Sequence, residues 1–219
     1  MDIGRIIEDS VEYTKRALWG RWVDWILLII SVIIFPLIFG YVFRVFRGGN
    51  APPVLKNWVG LFIDGLKLLV VGIIYYIPVW IIGAIFFGGA WGPLVSALEQ
   101  GRVVELFVAL GSIALGLIII LILQIVIYIF LIIGAVRFAR TNSFMEGFNF
   151  SAILDRISRI GWGQYIIGLI VLWIITIVFP VILGAFMGIP IIGWIIGLAL
   201  YPAYIIFIAR YVSLVYDSG

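Results

Sequence analysis

The 219-residue chain contains neither cysteine nor histidine. Their absence removes disulfides, thiol chemistry, haem ligation through imidazole and the usual zinc sites. Charge is scarce as well. Fourteen Lys and Arg and eleven Asp and Glu make up 11% of the residues, against about 25% in an ordinary soluble domain. The few acids form no repeated motif, and none sits in the middle of an apolar run. Paired carboxylates for metal or general acid–base work, which must face one another across a cavity, are therefore not expected. No catalytic, cofactor-binding or metal site emerges, and the chain reads as a non-enzyme without a cofactor.

Apolar residues are abundant instead, at 65%, with a mean hydropathy of +1.28. They form several runs of twenty or more, enough to cross about 30 Å of hydrocarbon as helix. Backbone polar groups in lipid must be satisfied within the segment, which leaves helices or closed barrels. These runs are continuous rather than alternating, so barrel strands are rejected. The expected class is all-α: a polytopic transmembrane helical bundle of about five spans with amphipathic interfacial helices. It is expected to form one domain over 1–219, with an amphipathic helix at 1–21 ahead of a membrane bundle at 22–219. The net charge is +3 and the pI about 9.3, but the cations are dispersed around the apolar runs as membrane-flanking charges are. Lipid is thus the expected partner, and nucleic acid is not. The amino terminus carries seven charges by Arg16, unlike a secretory signal peptide.

Residues 3–18 read as a surface helix, with Ile3, Ile6, Ile7, Val11 and Leu18 at helical spacing. Residues 1–16 hold four acids and three bases, whereas a helix that binds anionic lipid electrostatically is rich in Lys and Arg, so docking onto the membrane domain or a partner fits better. A first span is expected at about 23–43, entered through Trp19, Trp22 and Trp25 and bent by Pro36. The loop 48–53 follows. A second interfacial stretch at 56–67 leads into a span ending near Phe87, and Gly88–Pro93 is expected to break it. Residues 94–106 are amphipathic, a third span covers about 110–136, and another surface helix covers 145–160 with Asn149 as N-cap. From Gly161 to Ala209 there is no charge. This length, divided at Gly188-Ile189-Pro190, reads as a hairpin of about 164–187 and 190–209, one half of which is a candidate re-entrant segment. An amphipathic segment followed by a span recurs about four times, too dissimilar in sequence to establish a repeat.

With five crossings, the amino-terminal tail falls opposite the first loop, the third loop and the carboxyl terminus. The tail's side then holds five Lys and Arg and the other side nine, which places the latter in the cytoplasm.

The stretch Pro36-Leu-Ile-Phe-Gly40-Tyr41-Val-Phe-Arg44, then Pro52-Pro53, Asn57-Trp58, Leu61-Phe62-Ile63-Asp64-Gly65-Leu66-Lys67 and Tyr75-Tyr76 before Pro78, carries a resemblance. With looser matches at Phe148-Asn149-Phe150 and Gly161-Trp162 through Tyr165, it resembles an archaeal membrane-protein family, domain of unknown function four thousand and thirteen. The resemblance implies an archaeal plasma-membrane protein and supplies no activity or site.

Polar groups inside a span are the default functional candidates. Gln124 is the clearest, and a helix-to-helix hydrogen bond is its simplest role. Thr176 can bond to its own helix backbone. Asp64 with Lys67, and Asp155 with Arg159, stand at helical spacing as candidate interfacial ion pairs. Gly184 with Gly188, and Gly193 with Gly197, show the small-xxx-small spacing of close helix packing. The simplest arrangement lays these two faces together across the hairpin; the competing one turns a face to a second copy. Arg210, ending the last span, reads as a snorkelling anchor. Two functions follow. One is a non-catalytic scaffold or accessory subunit that grips other membrane-protein subunits. The other is a small oligomeric channel or transporter-like protein, which the prolines and Gln124 favour and the lack of a midspan charge disfavours.

Overall fold

The computed structural model describes residues 1–189 and 191–219. Among them the chain forms eight α-helices and no strand: α1 (Ile3–Leu18), α2 (Trp22–Ile33), α3 (Phe35–Phe46), α4 (Trp58–Gln100), α5 (Val103–Thr141), α6 (Phe150–Ile160), α7 (Trp162–Met187) and α8 (Ile192–Asp217). Four of them, α4, α5, α7 and α8, are long and apolar enough to cross a membrane. The protein is an all-α polytopic membrane protein with shorter apolar and amphipathic helices added. Contacts divide the chain into two compact units, one made of Met1–Val71 with Ile132–Gly219, the other of Gly72–Leu131.

In the first unit, α1 begins where the Asp2 carboxylate accepts the Arg5 amide at 3.2 Å, satisfying a donor the helix itself cannot. Lys15 and Arg16 in its last turn oppose the negative end of the dipole. Its buried stripe of Ile6, Ser10, Tyr13 and Ala17 recurs every three or four residues and packs on α8. The Ser10 hydroxyl is spent on the Ile6 carbonyl at 2.7 Å.

The segment expected as a first span is instead two helices of 12 residues, divided at Ile34, whose φ of −93° and ψ of 74° are non-helical. Proline accounts for the division. Pro36 lacks an N–H, disfavours helical geometry just before it, and is tolerated only in a helix's first turn, where α3 places it. Twelve residues span about 18 Å, short of the roughly 30 Å of hydrocarbon.

Helix α3 then runs antiparallel against the start of α4. A Cβ at Gly40 would overlap the Leu61 carbonyl, and one at Gly65 would overlap the Pro36 carbonyl and the Gly40 amide nitrogen. The two backbones therefore touch, as only glycine permits. The loop after α3 also returns to α1: the Tyr13 hydroxyl lies 3.4 Å from the Ala51 carbonyl. The amino-terminal helix and the first loop thus share one end of the unit. The five-crossing topology, which puts them on opposite sides, does not describe this arrangement.

Helices α7 and α8 pair through the stacked rings of Phe179 and Tyr204, 4.2 Å apart, and through the Tyr211 hydroxyl donating to the Gly168 carbonyl at 2.9 Å. Both have 26 residues, so each is long enough for a full crossing. The expected break includes Pro190, which lies outside the described residues. Asn149 caps α6 by accepting the Ala152 amide at 3.2 Å.

The second unit is the antiparallel pair formed by the rest of α4 and most of α5, joined by a turn at Gly101 with φ of +66°. The Ser112 hydroxyl donates to the Phe86 carbonyl at 3.0 Å, and the Phe86 side chain, its Cβ foremost, fills the space a Cβ would take at Gly116. The break expected at Gly88–Pro93 is absent, and α4 continues through Pro78 and Pro93. Proline and glycine interrupt membrane helices less than soluble ones, because neighbouring helices and local adjustments satisfy the freed backbone groups. The amphipathic stretch 94–106 is accordingly shared between the end of α4 and the start of α5.

Gly65→Ala should destabilise the protein by about 1–3 kcal/mol, the usual range for overpacking a tight contact. Gly72→Ala, where a Cβ would meet nothing within 4 Å, should be neutral or slightly stabilising. Thermal unfolding of both variants in detergent checks the contrast; equal midpoints would contradict the close crossing of α3 and α4.

Candidate functional site

The polar chemistry of the first unit gathers at the end where α1, the 48–57 loop, the end of α5 and the end of α8 meet. Arg210 of α8 is 5% exposed. Its Nε donates to Asp9 Oδ1 at 2.7 Å and its Nη1 to the Gly49 carbonyl at 2.8 Å, while its guanidinium lies 4.6 Å from the centre of the Tyr13 ring. A buried cation is costly unless paired and hydrogen-bonded, and here helix, loop and ring all converge on it. Burial pushes the Tyr13 phenol up to about 12, against the opposing pull of Arg210, so Tyr13 stays neutral at ordinary pH.

Arg140 plays a similar part at the end of α5. Its Nε donates to the Phe46 carbonyl at 2.7 Å, and its Nη2 reaches Ser213 Oγ at 3.0 Å and Asp217 at 2.7 Å. Arg44 donates to the carbonyls of Lys56 at 2.7 Å and Asn57 at 3.1 Å. Arg156 donates to the Tyr216 carbonyl at 2.9 Å and lies 4.2 Å over its ring. Loop and helix-end carbonyls have no intrahelical donor, and the five-donor guanidinium fork can satisfy several at once. Arg140, Arg156 and Arg210 therefore join segments distant in sequence, and Arg44 ties α3 to the loop that follows it. Arg137 pairs with Glu146. The Asn149 amide, and then Arg137, hold the Glu146 carboxyl below the usual carboxylate range.

The residues singled out in the sequence fall as follows. Asp64 is buried and pairs with Arg47 at 3.4 Å and Arg44 at 3.9 Å. Lys67 is exposed one helical turn further on, so the pairing expected from spacing is replaced. Asp64 faces α3, where two guanidinium groups outcompete one flexible ammonium. Asp155 and Arg159 pair at 2.8 Å, both largely exposed, a geometry that contributes little. Gln124 donates from Nε2 to the Tyr76 hydroxyl within the second unit, which joins α5 to α4. The Thr176 hydroxyl turns back to the Trp173 carbonyl at 2.7 Å.

The glycines of the hairpin differ from expectation. Gly193 and Gly197 are buried, but a Cβ at Gly184 or Gly188 would meet nothing within 4 Å. The two faces are therefore not laid together. Four-residue spacing permits a close approach without requiring one, and the aromatic contacts at Phe179 and Tyr211 set the α7–α8 pairing instead. Backbone contact is made at Gly40 and Gly65. The spacings Pro36-xxx-Gly40 and Leu61-xxx-Gly65 were the available signal for it. Asp9, Arg140 and Arg210 were not distinguishable from interfacial anchors, because their partners lie 73 to 201 residues away.

Arg210→Met should cost about 2–3 kcal/mol. Breaking a fully buried pair costs about 3–5, and the Asp9 side chain is 38% exposed, so solvent screens part of the loss. Arg210→Lys keeps the charge but loses the fork, and should fall between. Thermal midpoints, with protease release of residues 1–20 as a second readout, check the order; an Arg210→Met protein with wild-type midpoint and unreleased α1 would contradict it.

No curated protein and no solved structure matches this chain. A family profile described as "Protein of unknown function (DUF4013)" matches residues 25–188, which takes in most of α2 and all of α3 through α7 and includes Gly40, Gly65, Asp64 and Arg140. The chain therefore belongs to the DUF4013 family of proteins of unknown function.

Proposed function

We propose that the protein is a non-catalytic scaffold or accessory subunit of the plasma membrane, with both termini in the cytoplasm. The observation that carries this reading is the fate of its polar groups. Arg44, Arg140, Arg156 and Arg210 are engaged by carbonyls, carboxylates or rings of the chain itself. Gln124 and Thr176, inside the apolar helices, are likewise engaged internally. Side chains committed to cross-bracing serve rigidity, whereas a transport path or a reaction centre keeps polar groups facing a cavity. Orientation follows from charge. Four crossings return the chain to its starting side, and of fourteen Lys and Arg only Arg102 then lies on the other side. So lopsided a distribution marks the cation-rich side as cytoplasmic.

A small oligomeric channel is the second reading, favoured by the break between α2 and α3 at Ile34, since interrupted helices line ion sites in several transporters. Reconstitution separates the two. Wild-type protein in sealed vesicles should give no ion or small-solute flux above empty vesicles, while gentle extraction from native membranes should yield a stoichiometric complex with other membrane subunits. Gln124→Leu should lower stability by at most about 2 kcal/mol and leave that complex intact. A reproducible flux that Gln124→Leu abolishes in a folded protein would replace the scaffold by the channel.

A further inference from the structure

We infer that the corner between α1 and α2 binds an anionic phospholipid of the protein's own bilayer, phosphate against Lys15 and Arg16 and one acyl chain along α2. Charge is segregated along this part of the chain. Residues 1–12 carry four acids and one arginine, whereas residues 13–23 carry Lys15, Arg16 and Arg21 and no carboxylate. The small net charge of the amino-terminal region hides a cationic half. Lys15, Arg16 and Trp19 line an open recess of about 530 Å³. Gly20 turns the chain there with φ of +76°, and a Cβ at that position would meet nothing within 4 Å.

The cations of the corner are unequally engaged. Arg21 is held by Asp24 at 2.6 Å, Arg16 lies at 4.0 Å from Glu12, and Lys15 makes no ion pair among the described residues. Lys15 and the outer face of Arg16 are thus free to meet a phosphate, for which an ammonium and a guanidinium are the common ligands.

The apolar side of the corner fits a lipid rather than a soluble anion or an acidic peptide. Trp19, Trp22 and Trp25 form a ladder, with centroids 6.2 Å and 5.6 Å apart. Trp25 anchors it by donating its indole N–H to the Ala199 carbonyl at 2.8 Å. Trp19 and Trp22 are 76% and 59% exposed, as indoles at a headgroup layer are. Below them Val23, Ile26, Ile30 and Ile33 are exposed at three- and four-residue spacing, one continuous apolar track about 15 Å long for an acyl chain. A free phosphate would use only the upper half of this site.

Native mass spectrometry of the full-length protein, loaded with equal amounts of a phosphatidylglycerol and a phosphatidylcholine, tests the assignment. Wild type should retain phosphatidylglycerol preferentially, and the double variant Lys15→Gln/Arg16→Gln should lose at least about fivefold of that preference, equivalent to about 1 kcal/mol in total. Lys56→Gln, a cation away from the corner, should keep it. Excess inorganic phosphate should leave the bound lipid in place; displacement by it would show a phosphate site and overturn the lipid assignment. If the double variant misfolds, the wild-type preference should still decline between about 0.05 and 0.5 M salt as screening grows, and Trp19→Ala should weaken retention of both lipids. Equal retention of the two lipids by wild type, or an undiminished preference in the folded double variant, would refute the site.

Discussion

Much of the first unit depends on one buried cation. Arg210 is almost wholly removed from solvent and has to be compensated where it lies. Its partners come from α1, through Asp9 and Tyr13, and from the loop after α3, through the Gly49 carbonyl. Two segments remote in sequence are thereby fixed at one end of α8. Arg140 repeats the device from α5, clasping the end of α3 and the end of α8. Guanidinium groups thus do at this end what hydrophobic burial does in a soluble core, because apolar surface in lipid has no water to escape.

The clasp also decides how the chain is threaded. Because Asp9 and Gly49 meet on the same guanidinium, the segment between them leaves and returns to one end. Its two 12-residue helices are each too short to cross alone, and Pro36 with Gly40 lets α3 lie backbone-to-backbone against α4. Removing one crossing from a five-crossing count changes the electrostatics at once. The cations, divided five to nine before, become one to thirteen, and the seven charges of the amino-terminal segment no longer require export. A topology that agrees with the positive-inside rule to this degree is self-consistent.

What the sequence disclosed was local. The boundaries of α1, the cap at Asn149, the membrane class and the uncharged stretch of α7 and α8 follow from periodicity, capping chemistry and run length, all read within one turn or one span. What it concealed was long-range. A buried arginine and a snorkelling one look alike until Asp9, 201 residues away, is placed beside Arg210. Asp64 had Lys67 at the right spacing, yet tertiary packing offered it Arg44 of α3 and Arg47 just beyond that helix. Apolar run length measured the segment around Pro36 correctly but not its fold-back. Gly184 and Gly188 carried the packing motif without a packed neighbour, whereas Gly40 and Gly65, in contact, showed it only with Pro36 and Leu61 as their four-residue companions.

Single-cysteine accessibility tests this threading most directly, since no native cysteine interferes. Glu8→Cys, in α1, Ser143→Cys, after α5, and Gln100→Cys, at the α4–α5 turn, are all at exposed positions. An impermeant maleimide applied to intact cells should label Gln100→Cys alone, with Glu8→Cys and Ser143→Cys reacting only after the membrane is opened. Labelling of Glu8→Cys from outside while Ser143→Cys stays protected would place α1 and the third loop on opposite sides, and the clasp at Arg210 could not then hold the protein together in its membrane.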